Sequence, residues 1–145
     1  MNEIKLEGTE ELLANLKKIN GDIRTDVALK AVNDGALQIE NQARINAPVL
    51  TSALRNSAKT ICKNTPNGAE AEIGFRGLAY AKIQEYGGTI TARNHKYLTF
   101  KTKAGWRRKK SVKIVGKHYF EKAINSEKGH AVEAMGNVIK SYLEK

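Results

Sequence analysis

The clearest periodicity in the chain runs over residues 22–48. Leu29, Val32, Ala36, Ile39 and Ala43 recur at steps of three and four, which places them on one face of an α-helix. Ala28, Ala31 and Ala47 widen that face, and side chains this small let another element approach closely. Asp22 or Thr25 is the expected start. Pro48 is the expected stop, because proline lacks the amide hydrogen and crowds the preceding turn. Lys30, Asn33, Asp34, Glu40 and Arg44 are expected to face away from the stripe, and Gly35 is a mild weakness within the helix. Ahead of it, residues 3–7 alternate as a short strand that Gly8 ends. Thr9 can cap a first helix whose positive first turn holds Glu10 and Glu11 and whose stripe is Leu12, Leu13, Leu16 and Ile19. Asn20-Gly21 breaks it.

The period then changes to two. Residues 57–63 alternate through Ala58, Thr60 and Cys62, or equally through Ile61. Residues 64–68 (Asn-Thr-Pro-Asn-Gly) are a turn cluster. Residues 69–75 follow with Ala71, Ile73 and Phe75 on one side, completing a hairpin. Residues 78–86 form a short helical pattern through Leu78, Ala81, Ile83 and Tyr86, ended by Gly87-Gly88. Residues 89–91 begin a strand, residues 97–102 are a strand, Lys103-Ala104-Gly105 is a tight turn, and residues 106–115 return as its partner. Two helical patterns close the chain. One is short, over 118–125; the other, over 131–143, carries Val132, Met135, Val138, Ile139 and Tyr142 on one face. There is no internal repeat, low-complexity tract or linker. The order predicts an α+β fold in a single domain spanning 1–145.

Charge sharpens this picture. The net charge of +10 comes from one segment: residues 93–117 hold Arg93, Lys96, Lys101, Lys103, Arg107, Arg108, Lys109, Lys110, Lys113 and Lys117 and no acid, while the rest of the chain is balanced. The run Arg107, Arg108, Lys109, Lys110 does not alternate, so it belongs to an exposed arm rather than a buried strand. Such a cluster suits nucleic acid, an acidic protein surface or anionic lipid, or is simply a solvated, self-repelling hairpin. A length of 145 residues is enough for a core without disulfides. The single cysteine, Cys62, permits no intramolecular disulfide and fits a reducing compartment. No N-terminal h-region and no long uncharged apolar run is present, so neither secretion through a signal peptide nor a membrane span is expected.

Candidate chemistry is sparse. His95, His118 and His130 show no metal-ligand spacing with one another or with Cys62. Asn94-His95 matches half of a nuclease H-N-H pattern, without its second half. Glu85 is the only acid between Glu72 and Glu121. It is read as a structural carboxylate, capping backbone groups or pairing with Lys82 or Arg55, ahead of a general base. Tyr97, Phe100 and Trp106 among the cations suit stacking on single-stranded nucleic acid, although Leu98 and Phe100 fit cross-strand packing better. After Pro48, the Thr51 and Ser52 hydroxyls can satisfy a turn, Leu54 can plug the helix end onto the sheet, and Arg55 can bind carbonyls or Glu85.

Three stretches, in order, resemble one family. Residues 47–57 carry Ala47, Pro48, Val49, Thr51, Leu54, Arg55 and Ser57; residues 80–87 carry Tyr80, Ala81, Glu85 and Gly87; residues 118–123 carry Phe120 and Ala123. Together they resemble the gene-product-ten-like head–tail joining, or tail completion, proteins of tailed bacteriophages. That pattern reads A-P-V-D-T-G-x-L-R-x-S, then Y-A-x-x-x-E-F-G-T, then an aromatic P-F-like stretch. This chain departs from it at Leu50 for Asp, Ser52 for Gly, Tyr86 for Phe and Tyr119 for Pro. Ser52 implies a joint that needs no positive φ, or one that bears some strain for it.

The resemblance implies a curved antiparallel β-sheet with the long helix packed across it, to which the chain's own pattern adds N- and C-terminal helices and a protruding basic β-hairpin. It implies a non-enzymatic virion protein without cofactor, metal or small-molecule substrate. Such a protein forms a ring, expected to be a hexamer, in the virion neck after assembly in the bacterial cytoplasm. Its partners are connector or tail-tube proteins, and no membrane is expected; the ten cations of the basic hairpin could then reach an acidic neighbour or make weak non-specific contact with DNA in the channel. The alternative is a small basic nucleic-acid-binding protein that uses the 93–117 hairpin.

Overall fold

A long helix holds more of the buried residues described than any other element. In a computed structural model of the chain, which describes residues 9–19, 21–48, 52–66, 68–78 and 80–144, that helix is α2 (Gly21–Asn46), preceded by α1 (Thr9–Lys17). Val27, Ala28, Ala31, Ala36, Ile39 and Ala43 are buried along α2, Val27 completely. The helix ends two residues before Pro48, as proline requires. The expected strand over residues 3–7, Asn20 and the residues 49–51 lie outside the described residues, as does the cap contributed by the Thr9 side chain.

Two elements cover α2. One is the hairpin of β1 (Ala58–Thr65) and β2 (Gly68–Phe75), paired antiparallel from Ala58↔Phe75 to Thr65↔Gly68. Alternation decides which face turns inward: Ala58 is buried and Thr60 and Cys62 are half-buried, whereas Ile61 is exposed. The other is α5 (Tyr119–Leu143), a single helix where two were expected. Gly129 costs about 1 kcal/mol inside a helix. It does not break this one because Ala123 and Ala131, buried on either side of it, anchor both halves. Leu16, Ile19, Val27, Ala28, Ala31 and Ile139 form one cluster joining α1, α2 and α5. At the start of α5, Tyr119 and Phe120 meet Phe75 edge-on, with ring centroids 4.9 and 6.1 Å apart.

The approach of α5 to α2 is close at Gly35. A Cβ there would stand 2.8 Å from Met135 Cγ and 3.0 Å from the Ala131 carbonyl oxygen. The residue that reads as a weakness in the sequence is the one that admits the neighbouring helix.

The chain groups into two compact units, residues 1–77 with 119–145 and residues 78–118. The second contains α4 (Ala81–Tyr86), β3 (Gly87–Thr91), β4 (Leu98–Thr102), β5 (Gly105–Lys109) and β6 (Ser111–Val115). Residues 106–115 were expected as one strand paired with 97–102. Instead β5 pairs with β4, and β6 pairs with β3. The register explains the split: Ala92 to Tyr97 separate β3 from β4, whereas Lys110 alone separates β5 from β6, so one continuous ladder is impossible. The Ala92 amide donates to the Lys110 carbonyl at 3.1 Å and closes the β3–β6 pair. The short helix begins at Ala81 rather than at residue 78. The fold is therefore α+β, with its strands distributed over three antiparallel pairs.

Replacing Gly35 with alanine stabilises an open helix by about 1 kcal/mol; here it is expected to destabilise by about 1–3 kcal/mol through overpacking. Denaturant unfolding measures the difference. Part of the loss should return when Met135→Ala is added, and a stabilised Gly35→Ala protein would contradict the close contact.

Candidate functional site

The first motif is a helix-to-strand joint. Arg55 sits in the one-turn helix α3 (Ala53–Asn56), and its Nε donates to the Arg44 carbonyl at 2.9 Å, near the exposed end of α2. This satisfies one of the carbonyls that a helix C-terminus leaves open. Leu54 is buried beneath it. Ser57 Oγ donates to the Leu54 carbonyl at 2.7 Å and terminates the turn. Pro48 is half-buried, and Thr51 lies outside the described residues. Ser52 has φ 62° and ψ −6°, a left-handed conformation, and its side chain makes no capping hydrogen bond. Of the two possibilities left by serine at this position, strain is the one realised.

Beside the joint lies a polar cluster that periodicity misplaced. Glu40 was expected on the outer face of α2; it is only 5% exposed. Its carboxylate accepts from Arg44 Nε at 3.0 Å and Nη2 at 2.5 Å, and from the Thr60 hydroxyl of β1. Arg44 Nη2 also donates to the Ala58 carbonyl at 2.8 Å. The i,i+4 spacing of Glu40 and Arg44 was visible in the sequence, but the inward turn of the pair was not. Cys62, one step further along β1, places Sγ 3.5 Å from Asn33 Oδ1, and burial pushes its thiol above the usual range, away from the reactive thiolate.

The second motif is a backbone crossing. Past β6, the Lys117 amide donates to the Gln84 carbonyl at 2.8 Å and the His118 amide to the Glu85 carbonyl at 3.0 Å, closing the end of α4. Gly87 has φ 79°, and a Cβ on it would meet the Ile114 carbonyl oxygen and the Gly116 nitrogen, both at 2.8 Å. Glu85 is buried and Tyr80, just before α4, is exposed. Of the third motif, Phe120 packs on Phe75 as described above.

The basic segment is the most exposed part of the second unit. Arg93, Lys96, Lys101, Lys103, Arg107, Arg108, Lys109, Lys110 and Lys113 are all exposed. None of them forms an ion pair among the described residues, although Lys96 Nζ lies 5.7 Å from the centre of the Tyr97 ring. Trp106 is 71% exposed. Leu98 and Phe100 are half-buried, as the packing reading expected. Elsewhere, an open apolar groove of about 250 Å³ lies between α1, α2, α5 and the tip of the β1–β2 hairpin, lined by Leu12, Leu16, Val32, Ala69 and Met135. Its walls offer little to orient a polar ligand.

Compared with protein-family models, with curated proteins and with solved structures, the chain finds no match. No helix among the described residues is long and apolar enough to cross a membrane.

Ser52→Gly removes the left-handed strain without losing a hydrogen bond and is expected to raise stability by up to about 1 kcal/mol. A calorimetric scan measures it. A lowered unfolding temperature would mean that the serine contributes something the joint geometry does not contain.

Proposed function

We propose that this chain is a non-enzymatic assembly protein of a tailed-bacteriophage or prophage virion, which joins or completes the tail at the head–tail connector. The observation that carries the reading is Ser52. The family pattern has glycine at this position, and the chain adopts there the left-handed conformation that favours glycine, with φ 62°. The motif residues around it support the same reading. Arg55 binds a helix-end carbonyl, Leu54 is buried, Gly87 lies at a close backbone crossing, and Phe120 packs on β2. Each has a structural role that needs no substrate.

Assembly then divides between two kinds of surface. Outside residues 93–117 the chain is charge-balanced, so copies can meet there without long-range repulsion. A closed ring, six-fold in the family reading, requires heterologous contacts that close by rotation. The basic segment cannot meet its own copies favourably and is left for an anionic partner. The protein would act in the virion neck after assembling in the bacterial cytoplasm, with connector or tail-tube proteins as neighbours.

The competing reading is a free nucleic-acid-binding protein. It is favoured by exposed Trp106 among cations and predicts a monomer. Size-exclusion chromatography with light scattering over a concentration series separates the two. A single closed species with a mass at a fixed multiple of the monomer is expected. A monomer at every concentration would overturn the ring.

A further inference from the structure

The β4–β5 pair is a two-stranded ribbon with cations on both faces. Residues directly opposite in an antiparallel pair share a face, and faces alternate along each strand. The register Leu98↔Lys109 and Phe100↔Arg107 therefore puts Arg107 and Lys109 on the face of the two half-buried apolar residues. The register Thr99↔Arg108 and Lys101↔Trp106 puts Lys101, Arg108 and the exposed indole on the other. Lys103 sits in the turn at the tip. All of these cations are exposed, and none forms an ion pair among the described residues.

A flat acidic protein surface would engage one face of such a ribbon and leave the other cations unused. A single nucleic-acid strand stacked on Trp106 would likewise leave Arg107 and Lys109 idle. A duplex groove is different, because phosphates flank it on both walls. The major groove, about 12 Å wide, admits a two-stranded β-ribbon. Five residues per strand extend about 17 Å, a length of duplex along which about ten phosphates lie. The ribbon is strongly basic and carries no acid, and it has no Asn or Gln to pair with adenine.

We infer that the β4–β5 ribbon enters the groove of duplex nucleic acid and holds both phosphate walls without regard to sequence, Lys101 and Arg108 on one side and Arg107 and Lys109 on the other. This rests on the reading of the basic segment as a contact for an anionic partner, and it names that partner. It does not depend on ring formation. A duplex complex without self-association would leave this inference standing and the ring lost; self-association without a duplex complex would do the reverse.

The test uses the full chain and a labelled random-sequence DNA duplex, followed by fluorescence anisotropy over a salt series. About four phosphate contacts predict a slope of log affinity against log salt near −4, and each two-cation variant should reduce it by about 2. The variants are Lys101→Ser with Arg108→Ser, and Arg107→Ser with Lys109→Ser, each checked for folding by circular dichroism. Trp106 is the only tryptophan, so its emission reports the ribbon directly and should change on adding duplex. Four results would overturn the inference: no binding at the lowest salt; loss confined to one of the two variants; tighter binding of the matching single strand; or equal binding of polyglutamate, which would assign the ribbon to an acidic protein.

Discussion

A carboxylate buried between a helix and a strand destabilises a fold unless its partners are fixed, and Glu40 is the point on which the first unit depends. Its donors come from α2 itself, through Arg44, and from β1, through Thr60. Arg44 continues to the Ala58 carbonyl, and Arg55 reaches back to the Arg44 carbonyl. Five hydrogen bonds thus tie the end of α2, the joint and the start of β1. Loss of one partner of a buried pair costs several kcal/mol because the other charge is left uncompensated. Arg44 is about one-third exposed, so water moderates that cost here. With β1 set in this way, Ala58, Thr60 and Cys62 face α2, and β2 brings Phe75 to the start of α5.

Charge is used differently in the two units. In the first, charged side chains answer one another: Glu40 with Arg44, Glu72 with Arg76 at 2.6 Å, Glu70 with Lys63 at 3.5 Å. The exposed pairs add little stability, but they leave the surface balanced. In the second, the cations of residues 93–113 have no such partners among the described residues, and like charges crowd one short segment, five of them on the β4–β5 ribbon and its turn. Unanswered charge of one sign does not help a monomer fold. Its concentration in one segment is the physical observation that supports the anionic partner proposed for it.

Much of this was legible in the sequence, and the failures share a cause. The α2 stripe, the β1–β2 hairpin, the Lys103-Ala104-Gly105 turn and the exposure of the basic run follow from period, turn chemistry and charge, which are local. Gly35 and Glu40 were misjudged because their roles depend on what packs against them: Met135 and Ala131 approach one, Thr60 the other. The continuity of α5 through Gly129 is likewise tertiary, fixed by burial on either side. Lys110 could not be recognised as a strand boundary, since its position follows from the unequal lengths of the two connections. At the joint, the motif was legible, but whether Ser52 is strained was not, because serine admits either answer.

Heat unfolding of a protein with Arg107, Arg108, Lys109 and Lys110 all replaced by threonine, followed by circular dichroism beside the parent at low salt, most directly tests whether these cations are reserved for a partner. Unfolding at the parent's temperature or above it is the expected result, since no internal partner is lost and repulsion is relieved. A midpoint several degrees lower would show that the cations hold the fold together, and would contradict the division of charge described above.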